Sequence, residues 1–134
     1  MTGCPGCGEP LLIYELDGVE TDHCVACGGT WLDAGELEMV LENAGVDPTP
    51  LVEALEDARL GGKTVRRCPR CRKRMRLLHL GPGGTVELDN CPAGHGLWLD
   101  RGEMEQVAKA FSGGAGGAVA SYFSELYPTE RREG

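Results

Sequence analysis

Short apolar runs separated by glycine and aspartate turns fill this chain, and they come in the same order twice. "EPLLIYEL" and "VETDHC" are β-prone runs on either side of Asp17-Gly18, a pairing that closes β-hairpins. Asp33 then precedes "AGELEMVLENA", where Leu37, Val40 and Leu41 share one helical face. Asp33 with Glu36 reads as a capping box, and Gly45 and Pro48 stop the helix. A second helix is predicted from Pro50 to Leu60, with Thr49 as N-cap, Leu51, Leu55 and Ala58 on one face, and Gly61-Gly62 ending it. Then "MRLLHL", the turn "GPGG" and "TVELDN" predict another hairpin. Asp100 with Glu103 repeats the capping box before a helix through Phe111. Beyond "SGGAGGA", a glycine-rich linker, Val119, Tyr122, Phe123 and Leu126 fall at helix spacing in a tail too short to be a stable helix alone.

The repeat is clearest between Cys24 and Glu38, "CVACGGTWLDAGELE", and between Cys91 and Glu105, "CPAGHGLWLDRGEME". Nine of the fifteen positions are identical. Units of about 45 residues rarely bury enough apolar surface to fold alone, so a covalent or metal staple is expected. The cysteines supply it. Cys4-x2-Cys7 with Cys24-x2-Cys27 gives four thiolates, which suit tetrahedral Zn2+. Cys68-x2-Cys71 with Cys91-x3-His95 gives a Cys3His set. In that second set Gly94 stands where Cys27 stood, and the imidazole one position later takes over. Seven cysteines cannot all pair as disulfides within one chain. His23 is expected on the hairpin surface and His79 within a strand. Trp31 and Trp98 are expected to fill the space between hairpin and helix, with Leu32 and Leu99 beside them.

Domain boundaries follow: a first unit over 1–47, a linker helix over 48–62, a second unit over 63–112, and a linker and tail over 113–134. The fold class expected is small, α+β and metal-stabilised, each unit a β-hairpin plus a C-terminal helix.

Charge separates the two halves. The chain carries a net −8. Residues 1–62 hold thirteen acidic side chains and one basic, for −12, while residues 63–134 hold eight acidic and twelve basic, for +4. The basic excess gathers in "KTVRRCPRCRKRMR", with Lys63, Arg66, Arg67, Arg70, Arg72, Lys73, Arg74 and Arg76. Such a run suits a polyanion or an acidic protein surface. The acidic first unit disfavours nucleic acid, so a protein partner is the stronger expectation. Self-association of acidic first and basic second units is a further one. Tyr122, Phe123 and Leu126 are candidate docking residues in the tail. No apolar run is long enough to insert in a membrane, and no secretory signal is seen, so a reducing cytoplasmic setting is expected. The metal sites take all their ligands from protein, and no Ser/His/acid set or phosphate loop is found. The reading is a non-catalytic binding module, with a redox- or zinc-responsive switch as the alternative.

The pattern C-P-x-C, hairpin, C-x-x-C-G-G-x-W-L-D-x-G-E-L resembles a bacterial zinc-ribbon family named for its similarity to the zinc finger of transcription factor IIB. Residues 3–43 carry it through Cys4, Pro5, Cys7, Cys24, Cys27, Gly28, Gly29, Trp31, Leu32, Asp33, Gly35, Glu36 and Leu37. Residues 67–111 carry it with the departure at Gly94 and His95. The resemblance implies two tandem zinc ribbons and two zinc ions per chain. It implies little about activity.

Overall fold

The hairpins form where β-branched and apolar residues alternate with polar ones. In this computed structural model, which describes residues 3–16, 18–80 and 86–111, strand β1 (Leu12–Leu16) turns at Gly18, φ +86°, into β2 (Val19–His23). A third strand, β3 (Thr30–Asp33), continues the meander beyond the second cysteine pair. Helix α1 (Glu36–Asn43) follows and buries Leu37, Val40 and Leu41, as its spacing predicts. It ends in a Schellman motif: the Val46 N–H reaches the Leu41 carbonyl and the Gly45 N–H that of Glu42.

The next element differs from the expectation. Helix α2 (Thr49–Asp57) is real but shorter, and Thr49 is its first residue and not its cap. Pro48 precedes it as the N-cap, and the Thr49 N–H donates to the Asp47 carboxylate at 3.0 Å. Gly61-Gly62 do not terminate the helix. They lie inside a nine-residue strand, β4 (Arg59–Arg67). Two irregularities interrupt its pairing with the following strand, and glycine accommodates such breaks in a ladder. That neighbour, β5 (Arg74–Leu80), pairs with β6 (Val86–Asn90), giving the second predicted hairpin. Strand β7 (Gly96–Leu99) and helix α3 (Glu103–Ala110) complete the described residues.

All seven strands join in one antiparallel sheet, ordered β1-β2-β3-β7-β6-β5-β4. The halves meet at β3 and β7, where Trp31 pairs directly with Trp98, Thr30 with Leu99 and Leu32 with Leu97. Alternation along these strands sends successive side chains to opposite faces. One face carries Leu32, Leu99, Leu78, Leu80 and Leu88 into a core with α1, Leu51 of α2, and Met104 and Val107 of α3. The opposite face carries Trp31, Trp98, Met75 and buried cysteines from both halves. The tryptophans are therefore fully buried but do not sit between hairpin and helix. The strand places them on the cysteine side.

The capping boxes are half realised. The Asp33 N–H donates to Glu36 Oε1 at 2.8 Å, and the Asp100 N–H to Glu103 Oε1 at 2.7 Å. The aspartate side chains turn instead to the indoles: Asp33 Oδ1 accepts from Trp31 Nε1 at 2.8 Å, and Asp100 Oδ1 from Trp98 Nε1 at 3.0 Å. Burial pushes the half-buried Glu103 carboxyl up to about 7; the Asp100 N–H opposes this shift and the carboxylates of Asp100 and Asp89 add to it. Because Glu103 titrates above its ordinary 4.5 in the folded chain, its contribution to stability is whole below pH 4.5 and is lost as the pH rises through 7. Glu103→Gln keeps the acceptor and removes the charge. It is expected to raise unfolding free energy by about 1–2 kcal/mol at pH 8 and by less at pH 6, measured by urea denaturation with zinc present. An equal gain at both pH values would contradict the assignment.

Candidate metal centres

Each cysteine pair sits in a tight turn whose backbone is organised around its first sulfur. In three of the four turns the first cysteine's carbonyl accepts an N–H from four residues on: Gly8 to Cys4, Gly28 to Cys24 and Arg72 to Cys68, at 2.8–2.9 Å. The donor residue takes a left-handed conformation each time, φ +85° at Gly8, +83° at Gly28 and +69° at Arg72. Arg72 is the one non-glycine residue in that conformation among the described residues. It holds a position that costs an L-residue roughly 1–2 kcal/mol. Within these turns, backbone N–H groups point at sulfur: Gly6 and Cys7 at Cys4 Sγ, Cys27 at Cys24 Sγ, Arg70 at Cys68 Sγ and Ala93 at Cys91 Sγ, at 3.2–3.4 Å. Such bonds favour the thiolate form that binds metal.

The hairpins bring the turns together in two clusters. Cys4, Cys7, Cys24 and Cys27 form one, and Cys68, Cys71, Cys91 and His95 the other, with donor atoms within 4.8 Å of one another in each. Cys4 and Cys27 sulfurs are 3.6 Å apart, Cys7 and Cys24 3.5 Å, and Cys71 and Cys91 3.7 Å. These spacings exceed a disulfide bond and approach the edge of about 3.8 Å that a tetrahedral zinc–thiolate site requires. Burial pushes the Cys68 thiol up to about 11 and raises that of Cys4 as well. Without metal these sulfurs retain protons, which a bound cation displaces.

The fourth turn shows how a histidine replaces Cys27. The left-handed residue comes one position early, at Gly94 (φ +84°), and its N–H bonds the Cys91 carbonyl at 3.0 Å. Ligand and turn residue have exchanged places. His95 Nδ1 then lies 3.3 Å from Cys91 Sγ and 4.0 Å from Cys68 Sγ. The other two histidines stay apart from the clusters. His79 lies in β5 as expected, 3.5 Å from a Glu87 oxygen. His23 is not on the surface: it is 2 % exposed, with Nδ1 3.0 Å from the Thr30 hydroxyl and its ring 4.6 Å from that of Tyr14. The pairing of β2 with β3 buries it, with His23 opposite Thr30 at the end of β2.

The model of a family described as "Transcription factor zinc-finger" matches residues 3–43 and 54–110. The chain belongs to that zinc-finger family. Neither a curated protein nor a solved structure matches it. Two clusters of this chemistry in a zinc-ribbon protein support two zinc ions. Among the described residues no helix is long and apolar enough to cross a membrane.

The basic run meets acids that its sequence does not announce. Arg70, in the third turn, reaches into the first ribbon and bonds Asp22 at 2.6 Å and both oxygens of Asp33 at 2.9 Å. Arg70 beside it holds the Asp33 carboxyl below its ordinary value. Arg66 bonds Asp89 at 2.8 Å and Asp100 at 2.6 Å. The two acid pairs occupy equivalent places in the repeat, a signal visible in the aligned sequences. Arg67, Arg74 and Arg76 donate to the carbonyls of Arg72, Thr64 and Gly61, which fixes them without cancelling their charge. Tyr122, Phe123 and Leu126 lie outside the described residues.

Each tryptophan packs on the other ribbon's metal turns. A Cβ at Gly29 of the first ribbon would overlap the Trp98 ring, and one at Gly6 would touch that ring and the Cys4 and Cys27 sulfurs together, at 3.6–3.7 Å. On the other side, a Cβ at Gly96 would meet the Trp31 ring at 2.9 Å. Trp98→Ala, removing a fully buried indole, is expected to cost about 3–5 kcal/mol. Its effect should fall on the first ribbon's metal. With cadmium substituted for zinc, the 113Cd resonance of the four-sulfur site should shift or broaden while that of the Cys3His site moves less. The reverse order would show that each indole serves its own ribbon.

Proposed function

We propose that this chain is a non-catalytic two-zinc scaffold that docks an acidic protein partner on its second ribbon. Cys4, Cys7, Cys24 and Cys27 hold one ion, and Cys68, Cys71, Cys91 and His95 the other. The observation that carries the reading is that each cluster already offers four protein donors, the complement of a structural site, and so leaves no coordination position for substrate. A reducing, cytoplasmic setting belongs to the same proposal, since seven thiols are free. The ligand assignment is tested by metal content. Native mass spectrometry should find two zinc ions per chain, one in His95→Ala and two in His95→Cys; two ions retained in His95→Ala would remove His95 from the site.

Docking falls to the cations that no carboxylate neutralises. Arg66 and Arg70 are taken up by Asp89, Asp100, Asp22 and Asp33. Among the described residues of the run, Lys63, Arg67, Arg72, Lys73 and Arg74 remain exposed without such an acid. That is a small positive face on a chain of net charge −8, which suits an acidic protein surface better than a long polyphosphate. The pair Lys63→Glu with Lys73→Glu is expected to weaken binding of a soluble acidic polypeptide, poly-glutamate, by roughly tenfold at low salt. Fluorescence anisotropy measures it. Unchanged affinity, or tighter binding to duplex DNA than to poly-glutamate, would reject the reading.

A further inference from the structure

The first turn of each ribbon, around Cys4 and Cys68, lines one groove of about 400 Å³. Gly3, Pro5 and Gly8 line one side, and Val65, Arg67 and Arg72 the other. Three features of its second side go beyond what holding metal requires. Arg72 keeps a left-handed backbone, φ +69°, where the equivalent turn residues are Gly8 and Gly28. A strained residue persists only where the structure or a function fixes it, and glycine would serve the turn without strain. Second, the Arg67 guanidinium crosses to the Arg72 carbonyl at 3.1 Å, which fixes one cation in the groove that Arg72 also lines. Third, Val65 is 87 % exposed, an apolar side chain standing beside those cations. No carboxylate lines the groove.

We propose that this groove seats an extended acidic segment of a partner protein. Its carboxylates would meet Arg67 and Arg72, and an apolar side chain would cover Val65. The occupant follows from charge complementarity and from the groove's mixed lining. Two cations with an apolar contact suit a peptide, whereas a nucleic acid strand would need a longer basic track. The opposite wall, formed by Gly3, Pro5 and Gly8 of the first ribbon, adds no cation that would lengthen that track. The inference rests on the docking reading above and places it at one site.

The test uses the full zinc-loaded chain, 15N-labelled, with a decapeptide of glutamate interrupted by two leucines. Amide shifts are expected to cluster at Gly8, Val65, Arg67 and Arg72. Arg72→Gly should raise the thermal midpoint, by relieving the backbone, and yet weaken the peptide at least fivefold. Arg67→Gln should weaken it similarly. The opposite movement of stability and affinity is what a purely structural role for Arg72 does not produce. If both variants bind as the unmodified chain does while Lys63→Glu with Lys73→Glu does not, the groove is wrong and the docking face stands. If no variant changes affinity, both readings fall. If a single-stranded oligonucleotide displaces the peptide and binds more tightly, the occupant is nucleic acid and the proposal is overturned. If raising protein concentration alone reproduces the shifts, the occupant is a second copy, which overturns it equally.

Discussion

The pairing of β3 with β7 is the contact on which the rest of this molecule depends. It is only four residues long, and at its centre Trp31 faces Trp98. Because strand side chains alternate, this one register decides both faces at once. It places the two indoles among the cysteines, and it sends Leu32 and Leu99 to the helices. A shift by one residue would exchange them and break both cores. The glycines at 29 and 96 belong to the same requirement, since each gives up its side chain to the opposing indole.

The acid pairs extend that joint beyond the sheet. Arg70 ties the third metal turn to Asp22 and Asp33 in the first ribbon. Asp33 in turn receives the indole N–H of Trp31 and offers its own N–H to Glu36. One residue thus links a metal turn, a buried aromatic and a helix start. Surface ion pairs are usually worth little, but this one is doubly hydrogen-bonded and joined to a network, the case in which geometry gives it weight. Charge that seems available for a partner in the sequence is partly committed to holding the fold.

What the sequence discloses and what it hides divide along contact range. The ligand sets, both hairpins, the apolar face of α1 and the existence of α3 depend on spacing within about twenty-five residues, and they are legible. The burial of His23 is not, because the strand that covers it is short and carries no alternation of its own. The strand β4 is hidden for a related reason: its two glycines read as a helix stop, and only pairing with β5 makes them part of a ladder. The β3–β7 register joins positions sixty-seven residues apart, and nothing local specifies it. The duplicated Trp-Leu-Asp holds the information, but only for a reader who already knows that the two copies touch. Arg72 is a different case. Its strain is invisible until the turn is aligned with its two glycine counterparts.

A strand laid antiparallel against its own duplicate, with the same residue of each at the crossing point, is the geometry of a two-fold dimer interface. Here both partners are in one polypeptide. The joint therefore forms at an effective concentration set by the chain and not by the cell, so dilution does not part the halves. Covalent union also releases the two partners from identity. In a true homodimer, any residue suited to one side is imposed on the other. This chain instead has a thiolate ring on one side and a histidine on the other. It has Arg101 lying over Gly28 on one side and Ala34 at the equivalent place on the other, and an acidic half set against a basic one. The pseudo-symmetric joint supplies the stability of an assembly, and the broken symmetry around it gives the two faces different chemistry.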